Sequence, residues 1–321
     1  MSFMKQTLVG HIHKTGFYPP IINHFLSVEE SAVYNIRHEL RHPGAIFNIT
    51  SSYLINSLSS LIDTYTDEEL YDNTDKVIFD KIFDKFRLVI YDLFKFYDSC
   101  FEIMACFCDA PTKPIKFIDR WLKKEAKVLL AEEFEVQLKE DKSFIYLTYN
   151  KLKHTSNTIA WANLISEQKR CIGYYLEAQT AKSFVGSTND SEFPISLNRQ
   201  IRNIYFFLFK ISETLCNILK VHTASNNIPF AFNTGVADDT TWCDLYYKVE
   251  SLDNIYLPSE TGKLIYFPFL ENEAFYFIED VVDHSVSSKE FWENDTEFRL
   301  NFVTSGDNYS KKFSHPHMGL I

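Results

Sequence analysis

Glycine and proline are scarce in this chain, 9 and 10 among 321 residues, which argues against a sandwich or solenoid built from many tight turns. No Cys-x-x-Cys pair occurs. The six cysteines, at 100, 106, 108, 171, 216 and 243, have no spacing suited to a zinc knuckle and are expected to be buried free thiols of a reducing compartment. No apolar run approaches the roughly 20 residues of a membrane span, and the opening MSFMKQTLVGHIH carries no signal-peptide core. Cytoplasm is therefore the expected location, with no membrane partner. A Walker loop, a G-x-S-x-G elbow and a dinucleotide-binding fingerprint are all missing, and Gly235 and Gly262 stand alone. Nucleotide-driven and serine-hydrolase chemistries are disfavoured.

A general basic excess is also missing. The formal net charge is -11, and from Ser225 onward 16 acidic residues face 6 basic ones, leaving 27 and 26 for residues 1–224. A nearly neutral body thus carries an acidic end, and only a local nucleic-acid-binding face is compatible with this balance. What the chain has in plenty is aromatic bulk, 29 Phe and 18 Tyr, so aromatic-rich cores are expected.

Between Asp75 and Cys108 the residues Phe79, Ile82, Phe86, Val89, Leu93, Phe96, Cys100 and Met104 recur at three-and-four spacing, the stripe of a helix with one wet face. A second helix is predicted from Pro114 through Trp121 towards Glu135, and a third after Ser196, a candidate N-cap, through Ile201, Leu208, Leu215 and Ile218. Residues 28–42 and 45–65 read as two more helices separated by Pro43-Gly44. Thr158–Ile165 and Arg170–Ala178 read as a hairpin. Leu264–Phe269 and Ala274–Val282 read as two further strands, with Pro268 marking an edge or a bulge.

The densest chemistry is Arg37-His38-Glu39-Leu40-Arg41-His42-Pro43, which supports four competing readings. As H-E-x-x-H, His38 and His42 would hold zinc from one helix face, with Glu39 activating water and Glu68 or Asp72 as a further ligand; Pro43 and Arg41 weigh against this. The same residues resemble the H-box of histidine-kinase dimerisation helices, which implies His38 as phosphoacceptor, although no ATP-binding boxes follow. They also resemble the R-polar-x-x-x-H signature of HEPN ribonucleases. That resemblance implies Arg37 on the scissile phosphate and His42 moving a proton, with His38 at the polar position. The fourth reading is a surface helix end with a histidine-proline stop.

Tyr149-Asn150-Lys151-Leu152-Lys153-His154 resembles the end-of-helix segment of HEPN-like bundle proteins of bacterial defence neighbourhoods, and the layout of residues 75–220 is similar to theirs. Asn150 and His154 match the polar and histidine positions. Tyr149 stands where the family has its catalytic arginine, so the resemblance implies RNA binding without cutting at this copy. The other reading of these residues is a helix C-terminal cap. Lys113, Lys116, Arg120, Lys123 or Lys124, and Lys127 are spaced to share one helix face that could follow a phosphate backbone, while Trp121 at the centre is expected in the core.

The expected fold is α+β and predominantly α: a HEPN-like helical bundle with an inserted β-hairpin and an acidic, strand-containing C-terminal region. Its parts are a helical segment 1–70, the bundle 71–224 and the acidic α+β or β-rich region 225–321. The leading function is an RNA-directed defence or toxin-type protein, a metal-independent endoribonuclease if Arg37, His38 and His42 act together. RNA would lie on Lys113, Lys116, Arg120, Lys123, Lys127, Asn150, Lys151 and His154. No cofactor is expected. The partners expected are single-stranded RNA, a basic protein for the acidic region and a second copy of the chain; the acidic end is further expected to lie against the basic stripe. The alternative is a non-enzymatic interaction or scaffold module, with histidine phosphotransfer and zinc-dependent hydrolysis more distant.

Overall fold

The computed structural model describes residues 9–13, 16–29, 33–67, 76–111, 115–124, 126, 129–153, 158–165, 170–180, 183–186, 195–225, 240–257, 260, 262–271, 274–282 and 299–303. Its architecture is predominantly helical, α+β. The two longest helices are α3 (Lys76–Ala105) and α7 (Leu197–Ser225), preceded by α1 (Ile21–Ser27) and α2 (Pro43–Tyr65).

The apolar stripe expected on α3 is the buried one: Phe79, Ile82, Phe86, Val89, Leu93, Phe96, Cys100 and Met104 are all fully buried. α2 lies antiparallel along it. Near the start of α2, Phe47 meets Phe96 edge-on, with ring centroids 5.6 Å apart, and the Thr50 and Ser99 hydroxyls are 3.0 Å apart. α7 runs through the middle with Leu197, Ile201, Ile204, Leu208, Ile211 and Leu215 fully buried. Its apolar contacts reach α6 (Lys139–Lys153) through Phe144–Phe207 and α8 (Thr240–Glu250) through Phe209–Trp242.

Two antiparallel sheets complete the fold. The first has the order β2-β1-β8-β7, with β1 (Val9–His13), β2 (Gly16–Phe17), β7 (Leu264–Glu271) and β8 (Ala274–Val281). The expected strand pair 264–269 and 274–282 is thus the β7–β8 ladder, and Pro268 does sit on an edge strand. Because Arg199 donates to the Leu264 carbonyl from outside the ladder, alternation places the Pro268 nitrogen on the open side as well, where a missing N–H costs no ladder bond. The second sheet has the order β5-β4-β3-β9, with β3 (Thr158–Ile165), β4 (Arg170–Thr180), β5 (Ser183–Gly186) and β9 (Arg299–Val303); β6 (Ile195–Ser196) pairs with β4. The expected hairpin is the β3–β4 pair, with Ile165 opposite Arg170.

Three expectations need correction. No helix spans 28–42. Asn35–His38 form a single 3-10 turn, Glu39 is left-handed at φ 56, and His42 is extended at ψ 138, the geometry that a following proline demands. The helix expected from 114 to 135 is two helices, α4 (Ile118–Lys124) and α5 (Leu129–Gln137). The Ala126 N–H reaches back five residues to the Trp121 carbonyl, a bond that closes a helix end rather than extending the helix. Ser196 precedes α7, but it faces Glu260 of a distant segment, and its N–H donates to Glu260 Oε1 at 3.0 Å.

Candidate nucleic-acid interface

Residues 34–42 are laced onto the end of α3. The Tyr34 N–H donates to the Cys106 carbonyl at 2.7 Å, His38 Nε2 donates to the Cys108 carbonyl at 2.8 Å, and the Cys106 thiol points at the Arg41 carbonyl. Arg37 pairs with Asp109 at 2.7 Å while both side chains stay exposed, 64% and 74%. The His38 ring meets Trp121 edge-on, and Trp121 is in the core as expected. His42 is the N-cap of α2: its Nδ1 accepts the Gly44 N–H at 3.2 Å, and Pro43 fills the first turn, where its missing N–H is no loss. Each proposed catalytic side chain therefore has a structural bond. The helix face that the zinc and phosphoacceptor readings require is not formed, because His38 lies in the 3-10 turn and His42 outside α2. Glu68 and Asp72 lie outside the described residues, as do Lys113, Lys127 and His154, and among the described residues no group of three or more His, Cys, Asp or Glu side chains could hold a metal ion.

The basic row is not the single helix face expected of it. Lys116 precedes α4, and its ammonium lies 5.5 Å from the Phe117 ring centre, with the Arg120 guanidinium 4.7 Å from the same ring. Lys123 is tied to Asp119 at 3.6 Å and to Glu135 at 2.9 Å, and Lys142 shares the Glu135 oxygen at 2.8 Å. Burial pushes the Glu135 carboxyl up, but the two ammonium groups outweigh it and hold it below the usual range. Lys123 thus fastens α4 to α5, and its charge is already matched.

A different surface gathers rings and lysines on the outer side of α3. Tyr149 of α6 stacks flat on Phe94, with centroids 3.8 Å apart and planes 3° from parallel. Tyr91 stands 6.1 Å from Tyr149, and Tyr146 meets Phe94 edge-on at 5.1 Å. Lys153 lies over Tyr149 at 5.8 Å, Lys142 over Tyr146 at 5.3 Å, and Lys95 over Tyr53 of α2 at 4.9 Å. Tyr53 and Tyr91 are each 51% exposed and Leu88 is 46% exposed. Asn150, one of the RNA-binding candidates, is exposed beside Tyr149, and Lys151 lies on the same helix. Helical periodicity explains the gathering: Tyr146, Tyr149 and Lys153 are three and four apart on α6, as are Leu88, Tyr91 and Lys95 on α3.

Tyr53, Tyr91, Phe94, Lys95, Tyr146 and Lys153 were not among the sequence candidates. The spacing on α6 and α3 was the available signal. The pairing of the two helices face to face was not readable without the fold. No family model, curated protein or solved structure matches the chain, so its function has to be read from this geometry.

Proposed function

We propose that this protein binds single-stranded RNA on the outer face of α3 and α6 and does not cut it. The observation that carries this reading is the alternation of Tyr149, Tyr91 and Tyr53 with Lys153 and Lys95. Tyr91 and Tyr53 are half exposed and Tyr149 is partly buried on Phe94; exposed ring surface accepts bases of any sequence, and ammonium groups beside it meet the phosphates. The face is local, which reconciles RNA binding with a net charge of -11. The HEPN-like layout of residues 75–220 points to the same ligand and is the sole support for a defence or toxin-type role. Cleavage by Arg37 and His42 is the weaker reading, since Asp109 already neutralises the guanidinium that would clamp the phosphate.

The test is binding of a labelled single-stranded RNA at fixed ionic strength by the full chain and by Tyr91→Ala and Lys153→Ala. Tyr91 is half exposed, so its loss spares the core. Removing one stacking ring is expected to cost about 1–3 kcal/mol, roughly 5- to 150-fold in Kd, and in the presence of chelator the RNA should remain whole. Binding that ignores both substitutions, or capture of a protein partner through the same rings with no RNA binding, would overturn the proposal.

A further inference from the structure

We infer that the occupant of this face is a short single-stranded segment, about three to five nucleotides, lying across α3 from α6 to α2 rather than along it. The inference rests on the RNA-binding reading and adds a direction and a length. The outer stripe of α3 runs Asp84, Leu88, Tyr91, Lys95, Asp98 and Glu102 in steps of three and four. Carboxylates stand at both ends: Asp84, its charge matched by Arg87 at 2.9 Å, on one side, and Asp98 and Glu102 on the other.

Asp98 and Glu102 belong to a crowded acidic patch. Burial raises both carboxyls first; the nearby Asp119 charge raises Asp98 further, and the Asp98 charge raises Glu102 further, with Lys95 opposing on Glu102. Asp119 and Glu135 already occupy the neighbouring lysine, Lys123. A phosphate backbone laid along α3 would meet these carboxylates within two helical turns of Tyr91. Laid across α3, it passes from Tyr149 and Lys153 on α6 to Tyr91 and Lys95 on α3 and reaches Tyr53 on α2. Neighbouring helix axes are about 8–10 Å apart, so the whole track is roughly 16–20 Å long. It offers three rings, Tyr91 and Tyr53 half exposed and Tyr149 partly buried on Phe94, and two ammonium groups, of which Lys95 also faces Asp92 and Glu102, with the phosphates between the rings.

Two consequences can be measured on the full chain with oligouridylates from 2 to 12 nucleotides. Affinity should level off at about four to five nucleotides once the number of binding registers is allowed for. The slope of log K against log salt should be about -1.4, two single-strand phosphate contacts at about -0.7 each. Replacing the carboxylates at one end of the stripe, Asp98→Asn with Glu102→Gln, should leave the 4-mer and the 12-mer each within about twofold, because a strand laid across α3 leaves the helix without passing them. Affinity that climbs steadily to 12 nucleotides, a slope steeper than about -3, or a several-fold gain of the 12-mer alone on the double substitution would overturn the footprint while Tyr91-dependent binding stood. Absence of binding at every length would overturn the RNA reading together with it.

Discussion

His24 shows how much a single buried side chain can couple the fold to pH. It lies on α1 at 4% exposure beside Phe25, and its imidazole is pushed down from 6.5 to about 4, first by burial and then by the Lys220 charge. The unfolded chain therefore takes up a proton near pH 6.5 while the folded chain does not until about pH 4. Stability contributed by neutral His24 is full above the higher value and drains as pH falls between the two, by roughly 3 kcal/mol in all. Thermal unfolding followed from pH 7 to pH 4 should show that loss, and His24→Phe should flatten this part of the curve. The thiols behave differently. Burial pushes Cys106 and Cys108 up to about 12, so neither is a nucleophile at neutral pH. Of the six free cysteines only Cys243 is not fully enclosed, and it alone should react rapidly with a thiol reagent; Cys243→Ser should abolish that fast phase. Glu39 is the one non-glycine residue among the described ones with positive φ. Glu39→Gly should therefore stabilise the chain by about 0.5–1 kcal/mol in chemical denaturation.

At the scale of elements, the amphipathic helices and the strand pairs were legible because their burial follows a local period. α3, α7, the β3–β4 hairpin and the β7–β8 ladder all lie where the apolar spacing puts them. The failures have one cause, which is that the partner is distant in sequence. Asn198, Arg199, Gln200 and Arg202 open α7 as an ordinary polar first turn, yet all are buried. Gln200 accepts from the Tyr174 hydroxyl of β4, and the others serve a segment 50 or more residues away: Arg202 donates to the Leu252 carbonyl at 2.6 Å, the Asp253 carbonyl at 3.3 Å and the Tyr256 hydroxyl at 3.2 Å, and Asn198 donates to the Ile255 carbonyl. Arg199 reaches Glu260, whose second oxygen takes the Leu257 N–H. Gly173 belongs to the same junction, since a Cβ there would strike Leu257 and the Ile195 carbonyl. No window of sequence announces such a latch. Arg202→Ala would leave the buried Leu252 carbonyl without this donor and remove a bond from the Asp253 carbonyl and the Tyr256 hydroxyl, and is expected to destabilise the fold by about 3 kcal/mol. An unfolding midpoint within error of the wild type would show that the 252–260 segment does not depend on α7.

For the molecule as a whole, the charge asymmetry suggested an acidic third joined to a neutral bundle, but the strand pairing ties that third into the rest. β8 continues the ladder begun by β1, with Val9 opposite Tyr276, and β9 pairs with β3, with Trp161 opposite Val303. α8 packs on α2 and α7 through buried Trp242, Leu245, Tyr246 and Val249, and Lys248 bonds Asp63 at 2.6 Å. The described acidic elements thus lie on α7, α2, β1 and β3, whereas α4, which carries Arg120, Lys123 and Lys124 of the basic row, packs on α3 and α5. A truncation ending at Ala224 would remove β8 and β9, one partner each of β1 and β3, and uncover the apolar side of α7, where Phe206 stacks on Tyr266 with centroids 3.7 Å apart and Phe209 packs on Phe275 and Phe277. Because buried apolar area is the main favourable term in folding, the shortened chain is expected to lose its cooperative unfolding transition, bind a hydrophobic dye and show a weakened near-ultraviolet aromatic signal, all signs of lost packing. If it instead unfolds cooperatively with a midpoint near that of the full chain, the acidic third is a separate unit resting on a bundle that folds without it.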